Sequence, residues 1–171
     1  MERLAVPLLK QSTASSCGPA ALSMVLKYFG YGVPQRRIIN KIGGIKKYGV
    51  RTVKLSEFAQ ELGFKVYCYS YNKKLAGGRA TIKKPSKSDI IHFLEKRLPV
   101  IVAVDSRQLS GAKGKHSTMG HFIVIVNHKS GKFQYNDPSD RKQHQIKERD
   151  LMLALIKNAR ESSGYLLVLK Q

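Results

Sequence analysis

The chain has 171 residues and a mass of 19.2 kDa, enough for one domain to bury a large core without metal or disulfide support. Hydrophobic residues make up 42% and charged residues 25% of the chain, and no apolar stretch approaches the ~18 residues of a membrane span, which excludes disordered, collagen-like and transmembrane classes. Lys and Arg total 31 against 11 Asp and Glu, and the net charge of +20 favours a polyanionic partner whose class charge alone leaves open.

The N-terminus and the cysteine content indicate the compartment of the protein and whether disulfides or a metal support its fold. The first apolar patch is broken by Pro7 and is shorter than the roughly 7–15 residues of a secretory signal core. Two cysteines, Cys17 and Cys68, are too few for a disulfide framework, and no Cys or His pair has zinc-site spacing. We therefore expect one cytoplasmic domain over residues 1–171, without a metal or cofactor.

The first predicted element is a helix that Cys17 opens and Gly30 ends. Apolar residues recur at i, i+3, i+4 and i+7 from Leu22 onward, which is the pattern of one buried helical face. Ser15 or Ser16 can cap the helix, so the pattern puts a cysteine in its first turn.

The remaining elements alternate between helical and strand patterns. In chain order they are a helix from Pro34 to Gly43-Gly44, a helix over 52–62, a strand over 64–71, an exposed loop over 72–87, a helix from Ser86 or Lys87 to Arg97, a strand over 100–104, a loop over 106–120, a hairpin of strands 121–126 and 132–137 around a turn at 127–131, a helix over 147–158 and a strand over 165–169.

The hairpin brings two chemically useful side chains together. A turn centred on Lys129 places His121 directly opposite Asp137, where an imidazole N–H can reach a carboxylate. A bulge at Gly131 would shift this register by one residue and separate them. Asp105, at the end of the preceding strand, is the alternative orienting acid.

An imidazole oriented by a carboxylate is the base of a nucleophilic site, and Cys17 supplies a suitable nucleophile. A helix N-terminus favours the thiolate, and no acidic residue between Glu2 and Glu57 opposes it. Cys68 is expected to be a buried small hydrophobe. His116 is either a solvated loop residue or a substrate contact.

The segment from Gln11 to Leu22, QSTASSCGPAAL, resembles the Gln-x5-Cys-Gly-x-Ala motif of the C39 peptidases. The segments Gly120-His121-Phe122-Ile123-Val124-Ile125 and Asn136-Asp137-Pro138-Ser139 are similar to the His strand and Asp-Pro pair of the same family. These papain-like enzymes remove double-glycine leader peptides and are often fused to bacteriocin-exporting ABC transporters. The resemblance covers most of the chain.

The resemblance implies a role for each matching residue. Cys17 is expected to be the nucleophile, His121 the general base and then acid, Asp137 the orienting carboxylate, and Gln11 an oxyanion-hole donor beside the Cys17 backbone N–H. Losing one such donor costs about 2.7–4 kcal/mol of transition-state stabilisation. The fold expected is α+β and papain-like, with the Cys17 helix packed on an antiparallel sheet.

We therefore expect a cysteine peptidase that hydrolyses a peptide or protein substrate. The resemblance implies cleavage after a double-glycine leader motif, with an acidic leader peptide as substrate and an ABC transporter as partner. No P-loop sequence or transporter segment follows, so the chain is a stand-alone protein or an excised domain. The alternatives are a non-catalytic peptide-binding module and a papain-like acyl or peptidyl transferase. The sequence has no RNA- or DNA-binding motif, and we expect no nucleic-acid partner.

Overall fold

The computed structural model describes residues 1–109 and 120–171. These ranges contain six helices and seven strands. They are α1 (Cys17–Tyr28), α2 (Gln35–Lys41), α3 (Thr52–Glu61), β1 (Lys65–Ser70), α4 (Lys73–Ala76), β2 (Thr81–Ile82), α5 (Lys87–Glu95), β3 (Val100–Asp105), a 3-10 turn (Ser106–Gln108), β4 (Gly120–Lys129), β5 (Lys132–Asp137), β6 (Lys142–Lys147), α6 (Glu148–Ala159) and β7 (Leu166–Lys170).

The seven strands form one sheet in the order β2-β1-β7-β3-β4-β5-β6. All neighbours are antiparallel except β1 and β2, which pair in parallel. Strand β3 is buried along its whole length, as its run of Val, Ile and Ala predicts for a central strand. The α+β, papain-like fold class expected from the sequence is confirmed. Within the described ranges, no helix is long and apolar enough to cross a membrane.

Helices α1, α3 and α6 pack against the sheet, and α1 lies against β4. Every residue of α1 from Gly18 to Leu26 is buried. Gly18 permits this close approach, because a Cβ at that position would come within 3.2 Å of Leu55 and of the Phe122 ring. The packing places the first residue of α1 beside the start of β4.

The N-terminal segment before α1 lies along β4 and β5. The Leu4 backbone N–H donates to Val126 O at 3.0 Å, and the Asn136 side-chain amide donates to Val6 O at 3.0 Å. The Gln11 backbone N–H donates to Pro138 O at 2.8 Å. These three hydrogen bonds hold the approach to α1 against the strands that carry His121 and Asp137.

The predicted hairpin register was wrong by two residues. Strand β4 continues to Lys129, and Ser130 and Gly131 form a two-residue turn in which both have positive φ, 51° and 71°. The ladder then shifts between Ile125 and Asn127, so that Val124 pairs with Asn136. Because side chains alternate between the two faces of a strand, a shift of two leaves His121 and Asp137 on the same face as diagonal neighbours.

Two regions predicted as irregular contain regular structure. The expected loop over 72–87 includes α4 and the short edge strand β2, and the segment after Asp137 forms β6, which had no predicted counterpart. Ser16 is the N-cap residue of α1, but its Oγ binds the backbone of Thr13 instead of capping the helix. His116 lies outside the described residues.

Candidate active site

The structure brings Cys17, His121 and Asp137 into one chain of contacts. His121 Nε2 lies 2.8 Å from Asp137 Oδ1, and both side chains are more than nine-tenths buried. The Cys17 thiol and the His121 ring line the same cleft and interact electrostatically. Since Nε2 is engaged by Asp137, Nδ1 is the ring nitrogen left for the sulfur.

Asp137 is held by more than the imidazole. Its Oδ1 also accepts the Ser139 backbone N–H at 2.8 Å, an Asx turn that fixes the carboxylate at the end of β5. Burial raises the pKa of Asp137, but the hydrogen bonds from His121 and Ser139 outweigh it and lower the pKa to about 2. The carboxylate is therefore ionised throughout the physiological range.

The charges of Cys17 and His121 stabilise each other. Burial lowers the pKa of His121, yet its bonds to Asp137 and Cys17 raise the pKa to about 9. Burial raises the pKa of Cys17, but His121 and the backbone N–H groups of Phe122 and Gly18 together lower it below its usual value. The thiolate–imidazolium pair is therefore formed more easily than the ions of an isolated cysteine and histidine would be.

Asp105, which the sequence left open as the alternative orienting acid, contacts a different residue. Its carboxylate accepts hydrogen bonds from Arg107 Nη2 at 2.7 Å to Oδ2 and from Nε at 3.0 Å to Oδ1 and 3.3 Å to Oδ2. It also accepts the Arg107 backbone N–H. These bonds to Arg107 occupy both oxygens and, against the effect of burial, lower the pKa of Asp105. Asp137, and not Asp105, is the carboxylate that contacts His121.

Gln11 is near the site but its amide is engaged. Its Nε2 donates to Thr13 O at 2.8 Å and to Ala14 O at 3.1 Å, which uses both of its N–H groups. Its Oε1 is buried and has no hydrogen-bond partner among the described residues. An unpaired buried acceptor costs about 1–3 kcal/mol, so this arrangement of the side chain is less stable than one in which Oε1 also has a hydrogen-bond partner.

A cleft of about 550 Å³ opens beside Cys17 and His121. One wall is formed by the segment from Tyr48 to Thr52, and the other by the end of α6 and the following serines. The Arg51 guanidinium lies 4.2 Å from the centre of the Tyr48 ring. The cleft therefore combines a thiol–imidazole pair with an aromatic and basic rim.

Sequence reasoning missed the cleft residues Arg107, Lys157 and Asn158. Arg107 follows Asp105 by two residues at the end of a buried strand, and this spacing was a usable signal for a carboxylate–guanidinium pair. Asn158 and Lys157 come from the last turn of α6, which meets the 3-10 turn only in the folded chain. No local pattern indicates that contact.

One cluster has ligand atoms at metal-binding spacing among the described residues. Atoms of Asp137, Asp140 and His144 lie within 4.8 Å of one another. Asp140 Oδ2 is already 2.7 Å from His144 Nε2, and Asp137 Oδ1 is engaged by His121. Asp140 and His144 bind each other, and Asp137 binds His121 and the Ser139 backbone, so we assign no metal to this cluster.

The chain is similar to known proteins in sequence and in fold. A family model described as "Peptidase_C39 like family" matches residues 3–162. No curated protein matches the chain.

Solved structures share the fold. A Bacillus anthracis protein described as a candidate C39-like peptidase has a TM-score of 0.73 at 15% identity, with 100% of this chain and 98% of that one covered. The peptidase domain of Streptococcus ComA, a bifunctional ABC transporter of a quorum-sensing pathway, has a TM-score of 0.59 at 19% identity, with 97% and 99% covered. A double-glycine motif protease from an AMS/PCAT transporter, solved with the leader peptide, has a TM-score of 0.57 at 20% identity, with 99% and 94% covered.

Proposed function

Because the chain belongs to the Peptidase_C39 like family, we propose that it is a cysteine peptidase. In this proposal Cys17 is the nucleophile, His121 the general base and acid, and Asp137 the carboxylate that orients His121. The observation that carries the proposal is the grouping of Cys17 and His121 in one cleft, with His121 Nε2 2.8 Å from the Asp137 carboxylate. A non-catalytic peptide-binding module has no need of a cysteine whose pKa is lowered in this way.

Acylation begins from the ion pair. The Cys17 thiolate attacks the carbonyl carbon of the scissile peptide bond, and a C–S bond forms as the carbonyl oxygen takes up the negative charge. When this tetrahedral intermediate collapses, the C–N bond breaks and His121 Nδ1 gives its proton to the leaving amine. The products of this step are a thioester on Cys17 and a neutral imidazole.

Hydrolysis returns the site to its starting state. The neutral His121 takes a proton from water as the water oxygen attacks the thioester carbon. Collapse of the second intermediate breaks the C–S bond, releases the acid and restores the thiolate and the imidazolium. Asp137 keeps the ring oriented through both steps and stabilises its positive charge.

The oxyanion requires donors near Cys17. The first N–H groups of α1 have no acceptors within the helix, so the Cys17 backbone N–H is available for this charge. Gln11 becomes the second donor only if its amide leaves the carbonyl groups of Thr13 and Ala14 when substrate binds.

A peptide or protein is the substrate class proposed, and a double-glycine leader is the first candidate. The AMS/PCAT transporter protease was solved with the leader peptide, and ComA joins a peptidase domain to an ABC transporter. We extend the same substrate class, and an ABC transporter as partner, to this chain as part of the proposal. The net charge of +20 would favour an acidic leader.

The test combines thiol reactivity with cleavage. Iodoacetamide labelling from about pH 5 to 9, read by peptide mass, compares Cys17 with Cys68 in the wild type and in His121→Ala. We expect Cys17 to react far faster than Cys68 below pH 7 and to lose that advantage without His121. Leader peptides containing Gly-Gly are then incubated with the wild type and with Cys17→Ala. Equal reactivity of the two cysteines and intact peptides would contradict the proposed function and favour the binding module.

A further inference from the structure

The end of the cleft formed by α6 contains a polar side chain without a partner. Asn158 is 7% exposed and lines the cleft, and its side-chain amide makes no hydrogen bond with any described residue. Amides in largely buried positions are almost always hydrogen-bonded in folded proteins. The amide atoms of Asn158 are not sealed inside the protein, so a ligand in the cleft can reach them.

The two serines on the same wall are hydrogen-bonded within the protein. Ser162 Oγ donates to Gly164 O at 2.6 Å, and Ser163 Oγ accepts the Val53 backbone N–H at 3.3 Å. Asn158 Oδ1 would lie 3.4 Å from a Cβ added to Gly120, the residue before His121. The Asn158 amide therefore differs from these serines and lies close to the start of the strand that carries His121.

A clamped arginine completes this end of the cleft. Asp105, which is 2% exposed, binds Nε and Nη2 of Arg107, and this leaves Nη1 without a partner among the described residues. The Arg107 side chain is 60% exposed at the cleft. An arginine held on one edge by a buried carboxylate has little side-chain freedom left to lose when a second carboxylate binds its free edge.

The surrounding charges favour an anion. Lys157 lies close enough to lower the pKa of Asp105, and Arg51 approaches from the opposite wall. Among the described residues at this end of the cleft, Arg107 neutralises Asp105, and Glu161 is opposed by the cations Lys157 and Arg51. The donors and the charge both suit an acceptor with a negative charge.

We infer that Arg107 and Asn158 form a subsite for an acidic side chain, Asp or Glu, of the bound peptide. The inference rests on the proposed function, because it specifies which peptides that site accepts. Arg107 supplies charge and a donor, Asn158 Nδ2 a second donor, and Asp105 positions Arg107 without contacting the peptide.

Binding to the Cys17→Ala variant tests the subsite without requiring cleavage. Fluorescently labelled Gly-Gly peptides carry a single Glu at successive positions, each paired with the same peptide carrying Gln. We expect one position at which Glu binds about 10- to 100-fold more tightly than Gln, as for a hydrogen bond to a charged group. Asn158→Ala and Arg107→Lys, each added to Cys17→Ala, should reduce that ratio to about threefold or less.

Matched controls separate the subsite from general charge attraction. Arg149→Gln removes a cation from the same helix, where its side chain is 95% exposed, and should leave the Glu/Gln ratio unchanged. Asn158→Ala removes no hydrogen bond from the described structure and should melt near the wild-type temperature, so its effect on binding is not an effect of unfolding. Equal binding of Glu and Gln at every position, or a ratio that both cleft variants leave intact, would overturn the subsite. Loss of Cys17 labelling in the otherwise wild-type protein would instead count against the proposed function.

Discussion

The two cysteines lie in one hydrophobic core but in opposite chemical environments. Cys68, on β1, is 6% exposed, and burial raises the pKa of its thiol to about 12. Cys17 is also largely enclosed, yet His121 and two backbone N–H groups lower its pKa. Burial alone therefore makes a thiol inert, and a charged partner with oriented N–H donors makes it reactive.

Replacing each cysteine by alanine should give the largest difference between the two sites, in activity for one and in stability for the other. Cys17→Ala should reduce peptide hydrolysis by about 10³-fold or more, because no other group forms the thioester. Cys68→Ala should leave kcat/KM unchanged and lower the free energy of unfolding by about 1–2 kcal/mol through the cavity it creates. Cleavage assays and denaturant melts of both variants measure the two effects. Strong loss of activity in Cys68→Ala at unchanged stability would contradict the comparison.

Replacement of the orienting carboxylate should come next. Asp137→Asn should lower kcat/KM by about 10²- to 10⁴-fold and move the alkaline limit of activity below pH 9, since the Asp137 charge helps raise the pKa of His121. Asp105→Asn should leave the pH profile of Cys17 alkylation unchanged, because Asp105 pairs with Arg107. If the two substitutions shifted that profile equally, the assignment of Asp137 as the orienting acid would be wrong.

The pH profile of the wild type sharpens the comparison further. The active ion pair forms once pH exceeds the lowered pKa of Cys17 and is lost as pH rises through about 9, where His121 releases its proton. The kcat/KM for hydrolysis should therefore rise as Cys17 loses its proton and fall on the alkaline side around pH 9. Alkylation of Cys68 should still be increasing there, because its pKa is about 12. Activity that keeps rising beyond pH 9 would exclude the imidazolium as the acid.

The smallest predicted effects come from the glycine that lies beside each cysteine. A Cβ on Gly164 would meet Cys68 Sγ at 2.9 Å and Thr52 at 3.1 Å, so Gly164→Ala should cost about 1–3 kcal/mol of stability. Gly18→Ala instead presses on the Phe122 ring at 3.2 Å, next to His121, and should slow Cys17 alkylation by a fewfold. Thermal melts and labelling rates distinguish the two. A Gly164→Ala protein with slowed Cys17 labelling and an unchanged melting temperature would reverse the expected pattern.

The sequence predicted the parts of the fold that depend on local patterns. The helix at Cys17, the buried strand at Val100 and the hairpin after His121 each follow from periodicity and stop signals, and the structure contains all three. The contact between His121 and Asp137 was also predicted, although from a wrong register. The prediction held because the errors in the turn and at the bulge added up to a shift of two residues. A shift of two leaves each side chain on the same face of its strand.

Contacts between distant segments could not be predicted in the same way. Ser130 adopts positive φ in the turn, a conformation that a serine rarely signals. The meeting of Arg107 with the end of α6 depends on tertiary packing. The Gln11 amide shows the same limit, because the motif indicates which residue type is present but not that its N–H groups already bind Thr13 and Ala14. The catalytic roles of Cys17, His121, Asp137 and Gln11 stay predictions until activity is measured.

The N-terminal segment has a consequence for how the protein is handled. Its hydrogen bonds to Val126, Asn136 and Pro138 connect the residues leading into α1 with the two strands that hold the base and the carboxylate. Since α1 is anchored separately by its buried apolar face, shortening the first residues or nicking them with a protease would leave a folded core in which the thiol is less firmly aligned with the imidazole.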